Sequence, residues 1–450
     1  MRQRSGIVRW VAGSATAAAL LAAAGAWGAQ PGHGAGRPGR LATISVFPML
    51  RVPTMRMTAA PSGGYTPAQI RAAYSVNPLL RSGIDGKGQS IVIVDSFGSP
   101  TIGHDLGVFD RQFKLAAPPS LLIIHPAGPI PKFTPTGTRL SWAEETTLDV
   151  EWAHVLAPRA RIVLAETPVS ENEGRSGFPQ IVESEKYVMA HHLGGVISQS
   201  FGATEETFPK GTLRPLRGAY LEAAQPSHNV TVLSASGDAG ATDFHNDLTT
   251  FYTRRVTSWP ASDPLVTAVG GTDLRLDSQG NRTAPDQVWN DPVGTPSASG
   301  GGKSIMFSRP AYQNTDAGLL GPHRGVPDIS MSASCAHPVD IFQSFSGHGW
   351  QIICGTSEAT PLFAGVIALA DQAAGHWLGP INTDLYEMAA ASKSGIADIT
   401  RGNNTVSFHQ NGKTYTVHGW DAVAGYDLAS GLGTVNADVF VRRLAALAGK

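Results

Sequence analysis

Short, uninterrupted runs of apolar residues recur along this chain and limit the folds open to it. One run, QSIVIVDSFGSP at residues 89–100, ends in a turn, and similar runs occupy residues 160–167, 194–202, 229–240 and 266–272. A continuous apolar run of this length is typical of a parallel strand that is buried on both faces. Helical patterns lie between the runs, at residues 142–156, 177–192 and 216–224. Strands that alternate with helices predict an α/β fold, with a mostly parallel central sheet and helices on both faces.

The first 64 residues differ in composition from the rest. They hold 7 of the 34 basic residues and none of the 35 acidic ones, so residues 65–450 carry 27 basic and 35 acidic groups, a balance of -8. An acidic body disfavours nucleic acid as a partner.

Residues 1–28 combine arginines, an Ala-rich apolar run and small residues, which is typical of a secretory signal; an N-terminal membrane anchor is the alternative.

Three segments are therefore predicted. Residues 1–28 are the signal peptide, residues 29–64 are a Gly/Pro/Arg-rich tail or linker, and residues 65–450 form one domain. Outside the signal, no stretch of the chain approaches the ~20 apolar residues of a stable membrane span. In an exported protein the only two cysteines, Cys335 and Cys354, can form a disulfide worth about 3 kcal/mol. Two unpaired thiols are the alternative.

A Gly-Thr-Ser turn within CGTSEATPLFAG, residues 354–365, makes Ser357 a candidate nucleophile. A serine hydroxyl needs a neighbouring base, and the usual base is histidine. Asp95 ends a strand, as the aspartate of subtilisins does, but that family also has a His-Gly-Thr segment. None of the 14 histidines is followed by Gly-Thr, so a Ser-His-Asp triad is unsupported.

Two acidic motifs suggest another base. Glu145 and Asp149 stand four residues apart in a helical pattern, and, if buried together, they share a proton so that one pKa rises. Such a carboxyl can act as a base in acid, where histidine is protonated. Asp238 follows an apolar strand in SASGDAGA, and when protonated it can donate to an oxyanion. The alternative for Glu145 and Asp149 is a solvated helix face, and the alternative for Asp238 is a plain turn.

The order Glu-x-x-x-Asp, Ser-Gly-Asp-x-Gly and Gly-Thr-Ser-x-x-x-Pro resembles the sedolisin, or serine-carboxyl peptidase, family through residues 65–450. The resemblance implies a subtilisin-like fold with a single catalytic domain. It also implies that Ser357 attacks the scissile carbonyl, Glu145 takes the serine proton and Asp149 orients Glu145. Asp238 and the backbone N–H of Ser357 would then hold the oxyanion.

The same resemblance implies binding sites. One Ca²⁺ ion is expected on oxygen ligands, namely Asp398, the carbonyls of Ile399, Val423 and Gly425, and Asp427; a pair of Asx turns is the alternative. Two edges are expected to bind extended substrate by main-chain hydrogen bonds: one with Ser200 and Gly202, the other with Ser299, Gly300 and Gly301. Plain turns are the alternative there.

Together these features predict a secreted, monomeric endopeptidase that acts on proteins or peptides at acidic pH, with no nucleic-acid partner. A tripeptidyl-peptidase of the same family and a catalytically silent peptide-binding protein are the alternatives. Sedolisins commonly begin with a large folded pro-domain, and residues 29–64 are too short for one. We therefore expect this protein to mature differently or to need no such domain.

Overall fold

The structure, a computed structural model, describes residues 47–48, 60–61, 63–170, 177–209, 211–291, 295–347, 349–391 and 393–448. The predicted signal, residues 1–28, lies outside the described residues, as does most of the predicted tail, residues 29–64.

The helices are α1 (Pro67–Ala73), α2 (Asn77–Arg81), α3 (Ile102–Phe113), α4 (Gly137–Leu156), α5 (Phe178–Ala190), α6 (Leu213–Leu216), α7 (Gly218–Ala223), α8 (Ala317–Leu320), α9 (Thr356–Ala374), α10 (Asn382–Ala389) and α11 (Ala437–Ala448). The strands are β1 (Phe47–Pro48), β2 (Ser90–Ser96), β3 (Leu121–Ile124), β4 (Arg161–Thr167), β5 (Val196–Gln199), β6 (Phe201–Thr204), β7 (Thr231–Ala235), β8 (Ser258–Trp259), β9 (Thr267–Asp273), β10 (Gln287–Val288), β11 (Gly302–Ser308), β12 (His323–Val326), β13 (Ile329–Ser332), β14 (Val339–Gln343), β15 (Gly349–Ile353), β16 (Ile396–Ala397), β17 (Val406–Gln410), β18 (Lys413–Val417) and β19 (Thr434–Val435).

The five apolar runs form the middle of one large sheet, as the sequence predicts. Its parallel strands lie in the order β3-β4-β2-β5-β7-β9-β13, and β10 adds an antiparallel pair to β9. Every residue of β2 and β7 is buried, which explains why these strands are apolar without alternation. The carboxyl ends of the parallel strands meet at one edge, where Asp95 of β2 lies opposite Glu166 of β4.

Helices cover both faces of this sheet, which confirms the predicted architecture. On one face, Leu148 of α4 and Leu362 of α9 pack with Ile91 and Ile93 of β2. On the other face, side chains of α5 and α7 pack with Val92 and the rest of the alternate set of β2 residues.

Some local predictions differ from the structure. Helix α4 begins at Gly137 rather than at residue 142, and the helix predicted at residues 216–224 is split between α6 and α7. The run at residues 194–202 becomes two strands, β5 and β6, separated at Ser200. The small antiparallel pairs β11–β12, β14–β15, β16–β19 and β17–β18 have no counterpart in the sequence prediction, because short strands outside the main sheet lack a long apolar run.

Cys335 and Cys354 form a disulfide, so the first of the two alternatives for the cysteines is confirmed. The bond joins the segment after β13 to the residue that precedes the Gly-Thr-Ser turn. No helix in the described part of the chain is long and apolar enough to cross a membrane.

The contact between α4 and α9 is close because α9 carries a glycine there. A Cβ atom at Gly365 would lie 2.7 Å from Cβ of Leu156 and 3.3 Å from the carbonyl oxygen of Ala153. Both neighbours belong to the rigid body of α4, so neither can move away alone. The distance between the two helices therefore depends on Gly365.

We expect Gly365→Ala to lower the free energy of unfolding by about 1–3 kcal/mol, because the added methyl group overpacks this contact. Urea unfolding measures this loss. Gly107→Ala on α3 is the matched control, since the nearest atom to its Cβ is the Arg111 side chain at 3.5 Å; this change should stabilise by roughly 0.5–1 kcal/mol through helix propensity. Equal stability of the Gly365→Ala variant and the unmodified protein would contradict the packing argument.

Candidate active site

Ser357 lies at the start of a buried helix. Gly355 has φ +119°, a conformation that favours glycine, and it turns the chain from β15 into α9. Ser357 is the second residue of α9 and is fully buried. The N-terminal end of the helix dipole favours negative charge beside it. Pro361 lies inside α9, where its missing N–H removes the i→i−4 bond to the carbonyl of Ser357.

Glu145 and Asp149 lie on the face of α4 that meets this turn. Both are fully buried, so the alternative of a solvated face does not apply. Burial first, and then the proximity of Asp149 and Asp95, raise the pKa of Glu145 well above its usual range. The nearby Ser357 hydroxyl lowers the pKa of Glu145 in turn, so the two side chains lie close together, although no hydrogen bond joins them in the described part of the chain.

Ser200 connects the acids to the serine. Its hydroxyl donates to Asp149 Oδ1 at 2.9 Å, and its carbonyl oxygen accepts a long hydrogen bond, 3.3 Å, from the hydroxyl of Ser357. Burial and the nearby Asp95 raise the pKa of Asp149, whereas the hydrogen bond from Ser200 lowers it. Ser200 therefore orients the acid pair, a role that sequence reasoning missed when it assigned this residue to substrate.

Asp238 reaches the same turn from the end of β7. Its Oδ1 accepts hydrogen bonds from the backbone N–H of Thr356 at 2.8 Å and from the Thr356 hydroxyl at 2.7 Å. Gly237, with φ +121°, precedes it. With Oδ1 accepting both bonds from Thr356, Oδ2 is the oxygen available to carry a proton. The structure thus brings all four predicted catalytic side chains together.

Asp95 is a third buried carboxyl beside the pair. It is fully buried at the carboxyl end of β2, and burial raises its pKa to about 7. In the described part of the chain, Asp95, Glu145 and Asp149 have no ion pair with a lysine or arginine. The sequence signal for Asp95 was its position at a strand end, which pointed to a subtilisin-type aspartate but not to this cluster.

A further acid extends the cluster toward the surface. Glu166 lies opposite Asp95 in the parallel register, and burial together with Asp95 raises its pKa to about 8. His125, just after β3, lies 2.8 Å from Glu166 through its Nε2. The acids thus form a row from Ser357 to the partly exposed ring of His125.

The predicted substrate edges have different surroundings. Gly202 belongs to β6, where the backbone of Phe47 pairs with it in antiparallel register. Gly300 and Gly301 are buried, and added Cβ atoms would lie 2.3 Å from the carbonyl oxygen of Ser236 and 2.2 Å from that of Leu428. Ser299 is also buried, and its hydroxyl donates to the carbonyl of Ala429. Packing therefore accounts for Ser299, Gly300 and Gly301 at these positions, and their role in substrate binding stays a prediction.

The predicted calcium ligands come from two segments that touch. The backbone N–H of Gly425 donates to Asp398 Oδ2 at 2.9 Å, and that of Val423 donates to Asp427 Oδ2 at 3.1 Å. Ile399, one of the three predicted carbonyl ligands, is buried next to Asp398. No three His, Cys, Asp or Glu side chains gather as a metal site within the described ranges; the predicted set has two carboxylates and relies on carbonyls.

Comparisons with known proteins agree with this geometry. A family model described as the subtilase family matches residues 144–419. Kumamolisin from Bacillus sp. (strain MN-32) is 31% identical over 379 residues, which cover 82% of this chain and 62% of that protein. Tripeptidyl-peptidase 1 from Homo sapiens is 27% identical over 307 residues, 63% of this chain and 49% of that protein. The chain thus spans roughly half to three fifths of the length of these relatives.

A solved structure shows the same fold. Pseudomonas sedolisin, a serine-carboxyl proteinase complexed with two molecules of pseudo-iodotyrostatin, superposes with a TM-score of 0.70 at 25% identity. The match covers 87% of this chain and 98% of that one.

We expect Ser200→Ala to lower kcat/KM for peptide hydrolysis by about 10- to 100-fold, because a hydrogen bond to a charged group is worth about 1.5–3 kcal/mol. Loss of that bond raises the pKa of Asp149, so the acid limb of the pH–rate profile should move to higher pH. Ser198→Ala is the control, since Ser198 is buried in β5, two residues before Ser200, and its hydroxyl has no hydrogen-bond partner among the described residues. Equal rates in the two variants would contradict the orienting role.

Proposed function

This chain belongs to the sedolisin group of the subtilase family, and we propose that it is an endopeptidase that hydrolyses proteins and peptides in acid through an acyl-enzyme. One observation carries the proposal: the buried pair of Glu145 and Asp149 lies beside the buried Ser357, and Ser200 bonds to both Asp149 and the Ser357 hydroxyl. A base of this type stays usable at a pH where histidine is protonated.

In the proposed acylation step, Ser357 Oγ attacks the scissile carbonyl carbon while its proton passes to Glu145. Glu145 then gives this proton to the leaving nitrogen as the C–N bond breaks, and the acyl-enzyme forms. In deacylation a water attacks the ester, with its proton passing through Glu145 to Ser357 Oγ, and the carboxylic acid product leaves. Asp149, held by Ser200, keeps the Glu145 carboxyl directed at the serine throughout.

Asp238 would stabilise the oxyanion. A protonated carboxyl can donate a hydrogen bond to a developing negative charge, whereas an ionised one would repel it. The two bonds that Thr356 donates to Oδ1 fix the carboxyl beside the helix turn. The backbone N–H of Ser357 is the proposed second donor.

The proposed activity at acidic pH follows from which of these carboxyls are protonated and which one is ionised. Asp95, Glu145 and Asp149 repel one another when ionised, so the cluster readily carries one negative charge and resists a second. One charge supplies the base, while the other acids of the cluster stay protonated. As the pH rises further, a second acid of the cluster loses its proton, and the repulsion between the two charges disturbs the arrangement. A bell-shaped profile with its maximum on the acid side is expected.

Strand β6 supports the proposed binding of an extended substrate. Its backbone already pairs in antiparallel register with Phe47–Pro48, Phe47 opposite Gly202 and Pro48 opposite Phe201. The edge therefore accepts an extended segment by main-chain hydrogen bonds. A substrate bound there would take the place of that upstream segment. Secretion, proposed from residues 1–28, would expose the protein to such substrates, and we propose that it acts as a monomer.

We expect the protein to digest a denatured protein between about pH 3 and 6, and Ser357→Ala and Glu145→Gln to reduce this by at least about 10³-fold, since each removes a group on which the chemistry depends. Gel analysis and peptide sequencing measure the digestion from pH 3 to 8. Fragments cut within the chain indicate an endopeptidase; release of tripeptides alone would support the tripeptidyl-peptidase alternative.

Glu144→Gln is the matched control for Glu145→Gln. Glu144 is the preceding residue on α4 and is also buried, but it accepts a hydrogen bond from Gln351, away from the serine. Its variant should digest like the unmodified protein. Digestion that survives Ser357→Ala would overturn the proposed nucleophile, and no digestion by the unmodified protein at any pH would favour the silent alternative.

We further propose that Asp398 and Asp427 hold one Ca²⁺ ion with the carbonyls of Ile399, Val423 and Gly425. Carboxylate and carbonyl oxygens are the ligands that this ion prefers. The hydrogen bond between Gly425 and Asp398 brings the two segments within reach of a common ion. A bound ion would tie residues 398–399 to residues 423–427 and so stabilise the folded state.

Calcium is expected to raise the melting temperature, because a ligand at about 100 times its Kd stabilises the folded state by roughly 2.7 kcal/mol. Asp398→Asn should abolish most of this increase, whereas Asp421→Asn, an exposed aspartate outside the proposed ligand set, should keep it. Differential scanning calorimetry with calcium and with EGTA measures the effect. Identical melting temperatures in the two solutions would contradict the calcium proposal without touching the catalytic one.

A further inference from the structure

Two cations share one aromatic ring near the oxyanion side of the site. The Arg255 guanidinium lies 4.0 Å, and the Lys303 ammonium 5.2 Å, from the centre of the Trp420 ring. A cation over an indole ring is favourable, but two like charges at one ring repel each other. Within the described ranges neither Arg255 nor Lys303 forms an ion pair, and the exposed carboxyl of Asp421, the residue after Trp420, pairs with neither of them.

Hydrogen bonds fix Arg255 and Trp420 in place but do not use all of their N–H donors. Arg255 donates to the carbonyl oxygens of His418 at 2.6 Å and Gly419 at 2.8 Å. The backbone N–H of Trp420 donates to Asn404 at 2.7 Å. The indole nitrogen of Trp420, however, is buried and has no hydrogen-bond partner among the described residues. A buried donor without an acceptor is unfavourable, so the three groups together lack an anionic acceptor.

The cluster adjoins the loop that carries Asp238. A Cβ atom at Gly302 would lie 3.4 Å from the indole nitrogen of Trp420, so the ring lies against the first residue of β11. Two residues earlier, the N–H of Gly300 donates to the carbonyl of Gly237 at 2.7 Å. Gly237 directly precedes Asp238. The cluster is therefore connected to the Asp238 loop through Gly300 and Gly302.

We propose that Arg255, Lys303 and Trp420 form a subsite for a carboxylate of the peptide substrate, either an acidic side chain or the C-terminal carboxylate. A carboxylate neutralises the two cations and offers oxygen atoms to the guanidinium and ammonium N–H groups. The subsite rests on the proposed function, because its ligand is the peptide that Ser357 would cleave. It gives the enzyme a preference for substrates with an acidic group at one fixed distance from the scissile bond.

Binding to the inactive Ser357→Ala protein tests this at pH 5.5, where a glutamate side chain is ionised. The probes are fluorescent peptides, amidated at the C-terminus, in which one Glu or Gln moves along an otherwise neutral sequence. We expect one Glu position to bind about five- to tenfold more tightly than its Gln counterpart, in fluorescence anisotropy at low salt. A second pair, one neutral peptide with a free and with an amidated C-terminus, tells the two carboxylate sources apart.

Three variants in the Ser357→Ala background assign the effect to these residues. Arg255→Gln combined with Lys303→Gln should abolish the preference, and Trp420→Phe, which weakens the cation–π contacts that position the two cations, should reduce it about two- to threefold. Arg254→Gln is the matched control and should keep it, because the neighbouring Arg254 is already paired with Glu206 at 2.7 Å.

The outcomes separate the subsite from the peptidase. Peptides that bind with no preference for a carboxylate at any position, or a preference that survives in the double variant, would overturn the subsite alone. Failure of every peptide to bind would overturn the subsite together with the proposed substrate class. The experiment measures binding and not cleavage. If the unmodified protein failed to cleave its substrates, that result would count against the peptidase proposal and would not affect the binding measurement.

Discussion

The packing of α4 against α9 is the contact on which the site depends. It buries Glu145 and Asp149 against the turn that presents Ser357, and Gly365 allows the two helices to approach. An ionised carboxylate is costly to bury, and Asp95, Glu145 and Asp149 have no lysine or arginine paired with them in the described part of the chain. Burial therefore raises the pKa of each of these groups, and the proposed activity at acidic pH rests on this shift.

The same burial affects stability. Burial raises the pKa of Asp95 and Glu144 to about 7 and that of Glu166 and Glu358 to about 8. Between the ordinary pKa of these carboxyls and those values, the folded state holds protons that the unfolded state has lost. Stability from these groups is thus present in acid and is lost as the pH rises through about 7 to 8. The groups suited to acid chemistry also make the fold depend on acid.

Much of the architecture was predictable because it follows from local pattern. Fully buried parallel strands need continuous apolar runs, so β2, β4, β5, β7 and β9 could be read from the sequence, and the helices between them followed. The strands of the small antiparallel pairs could not, because their stability comes from partners distant in the chain. The pairing of Phe47 with Gly202 across β6 is of this kind.

Local motifs were enough to identify the chemical groups of the proposed site, since Ser357, Glu145, Asp149 and Asp238 each stand in a motif with a local geometry. Their surroundings could be known only from the folded chain. Asp95 joins the acids and Ser200 orients Asp149 because parallel strands end at the same edge of the sheet. Gly300 packs closely against the backbone of Ser236, and Gly301 against that of Leu428. Motifs specify conformations over a few residues, whereas burial, and with it the pKa of each acid, depends on contacts between segments that lie far apart in the chain.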